Sequence, residues 1–427
     1  LLPGDILDCK GKVLATTNED GSRVYPYGEY TLMMIGNLNT KVMWGSTGNR
    51  SAGLLAEERY MSSLRGYETH PVDTILTARR HYSKYSPDIP INKEETKKIH
   101  DYSALLPMML SQKEIQEWNS RKVQRNIQLT VDAELQKTLS IRASTFVQSL
   151  TSASDRTRVS IVIIDASDGS LLTSAMYPLP NEKKLKELAI TNTTIYRDWA
   201  KGFRAYTDMD LGLHPLAPGS AIKPISAGAG LKRFSTELAG PAFNQFVYND
   251  EIIDTALGEP YGSVSLLRAI VGSSNIYFIK LTSRYGENGL YPELAELYYA
   301  IGANFGSAVP YVLFPDQTIT GEKAYRSKVE AFGKNAADKY SKYEESGTRY
   351  RLIDSEYQPS WGQGEVSLSP IALCRYVAAV ANDGIMAYPR YVATDSARVF
   401  KRLMSPEEAH ILQDCMKAQA AGRFGEI

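Results

Sequence analysis

Short apolar runs separated by polar turns open the chain. Ile6 and Leu7, a turn at Lys10-Gly11, then Val13, Leu14 and Ala15 predict a strand pair over residues 4–15. Residues 23–127 carry only short strand-like pieces, a charged helical stretch at 90–100, and a capping pattern at Ser111-Gln112-Lys113-Glu114 that starts a helix toward Arg121. The pattern changes at residue 128. Residues 128–131 read as a short strand, and Asp132 as the cap of a helix that Leu135, Leu139, Ile141, Ala143 and Phe146 carry to about Leu150. A β-branched run over 158–165, the turn Ser167-Asp168-Gly169 and a return over 170–177 predict a strand pair central to a sheet. The stretch 182–215 is polar and loop-like. Helices are predicted at 221–233, 263–285 and 291–302, and the low-apolar stretch 333–351 reads as an exposed insertion. Ser369-Pro370 starts a last amphipathic helix, with Ile371, Leu373, Cys374, Val377, Ala378 and Val380 on its apolar side, ending at Asn382-Asp383-Gly384.

Composition narrows the class. With 427 residues, 43% hydrophobic and 22% charged, the chain is an ordinary globular protein of more than one domain. Lys+Arg and Asp+Glu are both 48, so no global field points to nucleic acid or an anionic surface. Three scattered cysteines, Cys9, Cys374 and Cys415, make no disulfide framework, and five histidines form no metal-ligand spacing. No run of about 18 apolar residues predicts a transmembrane helix. The start at Leu1-Leu2-Pro3-Gly4 reads as that of a mature or trimmed chain.

Candidate chemistry sits in Leu216-Ala217-Pro218-Gly219-Ser220-Ala221-Ile222-Lys223-Pro224, a turn running into a helix. One helical turn separates Ser220 from Lys223, so hydroxyl and amine share a face. A serine hydroxyl becomes a nucleophile once a base takes its proton, and a buried lysine can be that base. N–H groups at a helix start can face a developing oxyanion. A second segment, Gly272-Ser273-Ser274-Asn275, places a hydroxyl and an amide two residues apart, able to relay a proton and hold a substrate amide. It reads equally as a plain cap. A third, from Trp361-Gly362-Gln363-Gly364 to Ser369-Pro370, suggests a loop of unusual backbone angles close to another element.

The order of these segments resembles the penicillin-binding proteins, the serine transpeptidases of peptidoglycan synthesis, whose superfamily carries S-x-x-K and K-T-G motifs. "LAPGSAIKP" resembles the nucleophile turn, "SLLRAIVGSSNIYFIKL" the S-x-N segment and "GQGEVSLSPIALCRYVAAVANDG" the G-x-G, T-P segment. "IVIIDASDGSLLTSAMYPLPN" resembles the start of the transpeptidase sheet. "GDILDCKGKVLATT" and "AGLLAEERYMSSLRG" resemble the N-terminal pedestal, although Asp8-Cys9-Lys10-Gly11 replaces the usual Asp-Arg-Asn-Gly. With no glycosyltransferase-sized domain upstream, the arrangement resembles class B, the division and elongation type.

The resemblance implies an α+β fold, an antiparallel sheet flanked by helices plus an all-helical subdomain, behind a β-rich pedestal. The domains would be 1–127 and 128–427. It implies Ser220 as nucleophile, Lys223 as base, Ser273 as proton relay and Asn275 as positioner, with Gly219, Ser274, Gly362, Gln363 and Gly364 lining the substrate site and no cofactor or metal. Substrates would be peptidoglycan stem peptides, with β-lactam antibiotics as inhibitors. A membrane glycosyltransferase would be the partner, and nucleic acid is not expected. The location would be the cytoplasmic (inner) membrane, through an N-terminal anchor outside this sequence, with the catalytic domain periplasmic. No K-[ST]-G followed by Thr occurs after residue 275, so the chain is expected to stop before its last strands. Two other readings stay open: a D,D-carboxypeptidase or β-lactamase-like hydrolase, and a non-catalytic scaffold or β-lactam sensor.

Overall fold

A buried aspartate organises the beginning of the chain. In the computed structural model, which describes residues 1–40, 53–66, 110–154, 157–191, 210–239, 264–310, 320–346 and 354–423, Asp8 is fully buried. Its Oδ1 accepts the N–H groups of Lys10 and Lys12 at 2.8 Å each, and its Oδ2 accepts Ala133 N–H at 3.2 Å. The first two bonds fold β1 (Ile6–Leu7) back on β2 (Val13–Thr17). β3 (Arg23–Val24) pairs antiparallel with β2. β4 (Ile127–Gln128) pairs parallel with β1, closing a sheet of order β3-β2-β1-β4.

Compactness divides the chain into two units. The first holds Leu1–Ile163, Ser170–Leu213 and Arg390–Ser396. Besides the small sheet it contains α1 (Leu32–Ile35), α2 (Ala56–Arg65), α3 (Gln112–Ser120) and α4 (Ala133–Ser149). Ser111 and Glu114 form the reciprocal cap of α3, and Asp132 caps α4 by accepting from Glu134 and Leu135 N–H. β5 (Val159–Ile164) pairs with β6 (Leu171–Tyr177), as the β-branched run predicts, although among the described residues the two make a sheet of their own and not the centre of a larger one. Residues 182–191, expected to be loop, form α5 (Glu182–Thr191). The reason is local: Leu185 is fully buried in a cluster with Leu32, Met33, Leu55, Met176 and Leu211, which outweighs the polar composition around it. The predicted stretch at 90–100 lies outside the described residues.

The second unit holds Ile164–Gly169, His214–Pro389 and Ala397–Ile427. Its helices are α6 (Lys223–Phe234), α7 (Leu266–Val271), α8 (Asn275–Ser283), α9 (Tyr291–Ile301), α10 (Glu322–Ser346), α11 (Pro370–Ala381) and α12 (Pro406–Arg423). Two antiparallel pairs accompany them: β7 (Asn304–Phe305) with β8 (Val366–Ser367), and β9 (Ile385–Ala387) with β10 (Val399–Arg402). α6 runs through the core, with Ile225, Ala227, Ala229 and Leu231 all fully buried. Its small residues admit neighbours closely: a Cβ on Gly228 would lie 2.2 Å from Tyr376 Oη on α11.

The insertion expected at 333–351 is instead the C-terminal part of α10 as far as Ser346. Tyr325, Val329, Gly333, Ala337 and, from Gly333 again, Ala336 and Tyr340 are buried at three- and four-residue spacings. A low mean apolarity hid a stripe of small and aromatic residues. Phe332 on that helix packs on Tyr291 and Phe305, with ring centroids 5.6 Å and 5.2 Å apart.

Two buried polar groups of the first unit generate predictions. Arg23 Nε donates to Glu57 Oε1 at 2.6 Å with side-chain exposures of 4% and 0%, and Tyr25 Oη donates to the other carboxylate oxygen. Glu57→Ala leaves a buried guanidinium without its counter-charge and should cost about 3–5 kcal/mol in urea unfolding. Asp210 is also buried; its Oδ1 accepts from Ser174 Oγ at 2.7 Å and Gly212 N–H at 2.8 Å. Burial pushes its carboxyl from 3.8 up to about 6, against the smaller opposing pull of those two bonds. The folded chain therefore binds this proton more tightly than the unfolded one. The associated stability is complete below 3.8 and is lost as pH rises through about 6. Asp210→Asn should flatten that fall in a series of melting temperatures taken across this window.

Candidate active site

The turn before α6 is shaped by backbone constraints. Leu216 and Leu368 exchange two backbone hydrogen bonds, at 3.1 and 2.9 Å. Gly219 adopts φ 55°, where a Cβ would meet nothing within 4 Å, so conformation rather than space demands glycine there. The chain then makes a 3-10 turn over Gly219–Ile222 and enters α6, with Lys223 N–H donating to the Ser220 carbonyl and Pro224 in the first turn. Ile222 is fully buried while Ser220 and Ala221 are exposed. The apolar anchor thus presents the serine outward.

Lys223 points the other way, with 2% exposure. Its Nζ donates to Ser273 Oγ at 2.9 Å, to the Ser273 carbonyl at 2.5 Å and to Asn275 Oδ1 at 2.6 Å. It also lies 5.9 Å from the centroid of the Phe278 ring. A buried ammonium or amine needs these partners to offset its lost hydration.

Residues 263–285, expected to form one helix, break at this point into α7 and α8. Ser273 takes φ 55° at the break, its N–H donating to the Ile270 carbonyl at 3.1 Å. Ser274 N–H donates to the Ala269 carbonyl at 2.9 Å, and its Oγ accepts Tyr277 N–H at 3.2 Å as the cap of α8. The break aims both the carbonyl and the hydroxyl of Ser273 at Lys223. Asn275, first residue of α8, adds its amide oxygen.

The structure therefore brings Lys223, Ser273 and Asn275 into direct contact and sets Ser220 one turn before Lys223. Ser274 is fully buried and its hydroxyl is engaged in capping, so its place is in the scaffold and not on a substrate surface. Gly362 reaches the nucleophile turn, its carbonyl accepting Gly219 N–H at 2.9 Å. Gln363 N–H donates to the Gln358 carbonyl at 2.9 Å, and Gly364 is exposed with φ 65°. Thr282 and Ser360 also belong to this assembly without having been singled out by sequence. The signal for Thr282 was its position two helical turns after Asn275, on the same face. Among the described residues, no group of His, Cys, Asp and Glu could hold a metal ion.

The family model of the penicillin binding protein transpeptidase domain matches residues 159–426, more than half of the chain. The chain belongs to this family. Similar solved structures include penicillin-binding protein A from Mycobacterium tuberculosis, with a TM-score of 0.61, 19% identity and coverage of 100% of this chain and 83% of that one. The same protein as a penicillin G acyl-enzyme gives a TM-score of 0.59, 19% identity and coverage of 99% and 82%. Pseudomonas aeruginosa PBP2 in complex with WCK 5153 gives 0.55, 19%, and coverage of 99% and 80%. The resemblance to the penicillin-binding proteins is thereby borne out as to family, and the likeness to these solved structures bears out the fold.

In this transpeptidase domain the Lys223 contacts make a stability prediction. Asn275→Leu removes one acceptor from a buried nitrogen and should destabilise the protein by about 1–3 kcal/mol. Urea unfolding with an unchanged m-value is the check; a variant within error of wild type contradicts the geometry.

Proposed function

We propose that the protein is a class B peptidoglycan D,D-transpeptidase working through a serine acyl-enzyme. The observation that carries this reading is the buried Lys223 amine, held by Ser273 and Asn275 one turn behind an exposed Ser220. Lys223 in its neutral form takes the Ser220 proton as Oγ attacks the penultimate D-Ala carbonyl of a stem peptide. One Ser220 Oγ–C bond forms while the C=O π pair moves to oxygen, and the resulting tetrahedral oxyanion faces the Ser220 N–H. The C–N bond to the terminal D-Ala then breaks. The proton held by Lys223 passes through Ser273 to the leaving amine. An amine of a second stem peptide attacks the ester, gives up its proton by the reverse route and forms the crosslink, releasing Ser220. Asn275 holds Lys223 in place and offers its amide to the acyl chain. A β-lactam enters the same first step because its strained amide places a carbonyl at the same position.

The substrate assigns the place. Stem peptides are crosslinked outside the cytoplasmic membrane, so we place the domain there, held by an N-terminal anchor and working beside a membrane glycosyltransferase that supplies glycan strands.

Intact-protein mass after incubation with a penicillin tests the reading in the full-length protein. One stable adduct per chain is expected, absent in Ser220→Ala. Lys223→Met should form it about 10²–10⁴ times more slowly, the loss that follows removal of a general base. Rapid turnover of the penicillin would instead favour the hydrolase, and no adduct would leave the scaffold reading standing.

A further inference from the structure

Gly362 makes its closest approach to the protein itself. It ends the 3-10 turn Gln358–Trp361 with φ 92° and ψ 31°. A Cβ at this position would lie 1.9 Å from the Gly219 carbonyl oxygen, 2.5 Å from its carbon and 2.7 Å from its nitrogen. All three are backbone atoms, so no side-chain rotation relieves the clash. Either the 358–362 turn or the nucleophile turn would have to move. The Gly219 N–H to Gly362 carbonyl bond, at 2.9 Å, closes the same contact from the polar side.

The turn is anchored from behind. Ser360 is fully buried, with its Oγ 2.6 Å from Thr282 Oγ1 and its carbonyl accepting from Ser226 Oγ at 3.4 Å. Ser226 follows Lys223 by three residues on α6, and Thr282 follows Asn275 by seven on α8. Both spacings return to the helix face that carries the site residue. Ser360 therefore references the 358–362 turn to both helices that hold the lysine and the asparagine. On the other side of the nucleophile turn, the Leu216–Leu368 pair of backbone bonds fixes the approach.

We propose that the 358–362 turn is a brace that sets the Ser220 hydroxyl in register with Lys223. Gly362 is a positioning residue acting through Gly219, and Ser360 is the anchor that fixes the brace to α6 and α8. The inference rests on the reading of Ser220 as the acylated nucleophile. It moves Gly362 from the substrate surface to the support of the reacting atom. A brace of this kind governs how often Oγ stands at attacking distance from a bound carbonyl. Its loss slows the bond-forming step and leaves substrate affinity in place.

The test is stopped-flow acylation of the full-length protein by a fluorescent penicillin, resolved into the rate constant at saturation and the noncovalent dissociation constant. Intact mass gives the final adduct per chain. Gly362→Asn tolerates a left-handed backbone and so isolates the Cβ contact. It should acylate about 100-fold more slowly at saturation, with an unchanged dissociation constant and one adduct per chain at long times. Gly286→Asn is the control. Gly286 also has positive φ, 77°, but a Cβ there would meet only an Arg233 side-chain nitrogen at 3.8 Å, so the wild-type rate is expected. Ser360→Ala should slow the same step about 10-fold, with the shape of the pH–rate profile unchanged because Lys223, Ser273 and Asn275 are intact.

A wild-type rate in Gly362→Asn overturns the proposal. So does a wild-type rate on a reduced fraction of chains, which is what a purely structural role produces. If Gly362→Asn does not fold, Ser360→Ala decides, and a wild-type rate there overturns the brace. A wild-type protein that forms no Ser220 adduct removes the acyl-transfer reading and this inference together. That failure is distinct because it is seen before any variant is measured.

Discussion

A lysine at 2% exposure must give its amine acceptors, and the break between α7 and α8 supplies them to Lys223. Ser273 gives two and Asn275 a third. Those acceptors come from a point where a helix is interrupted, because an intact helix would spend the Ser273 carbonyl on its own ladder. The interruption in turn requires a left-handed residue at 273 and a new cap at 274. One buried amine thus accounts for the break between α7 and α8, for the cap serine, and for an asparagine at the first position of α8.

The same constraint sets what can surround the nucleophile. Lys223 opens α6, so the residues before it must turn sharply and carry Ser220 outward while Ile222 is pulled into the core. That turn is short and has few side chains with which to hold itself. Its support comes from backbone: two hydrogen bonds to Leu368 and one to Gly362. Backbone contacts of this kind define position within tenths of an ångström, and they demand residues without side chains where the strands of chain meet. This is why glycine recurs on both sides of the serine for two separate reasons: φ at 219, proximity at 362.

Much of this was legible in the chain. The cap at Asp132, the reciprocal cap at Ser111, the β5–β6 pair and the start of α11 at Ser369 follow from local rules that the structure obeys. The spacing of Ser220 and Lys223 needed only the geometry of one helical turn. Two segments escaped because composition and pattern disagreed. Around Leu185 and along α10, polar residues outnumber apolar ones, yet a few large or small side chains at helical spacing decide burial. Ser274 escaped for another reason. A serine beside a helix start reads the same whether it faces substrate or caps the helix, and only the direction of its hydroxyl distinguishes them.

Backbone strain alone does not locate the site. Leu55, Ser235 and Asp383 have positive φ like Ser273, and all four stand at helix ends, where such angles are ordinary punctuation. What separates Ser273 is coincidence. Its left-handed angle, its buried hydroxyl and its carbonyl all converge on the only lysine among the largest fully buried side chains of the described residues. A packing requirement explains any one of these. It does not explain a core that excludes water from an amine and then builds three acceptors to receive it, since a methionine at 223 would fill the same space without either need. Local rules broken together at one point mark where selection for chemistry overrode selection for stability.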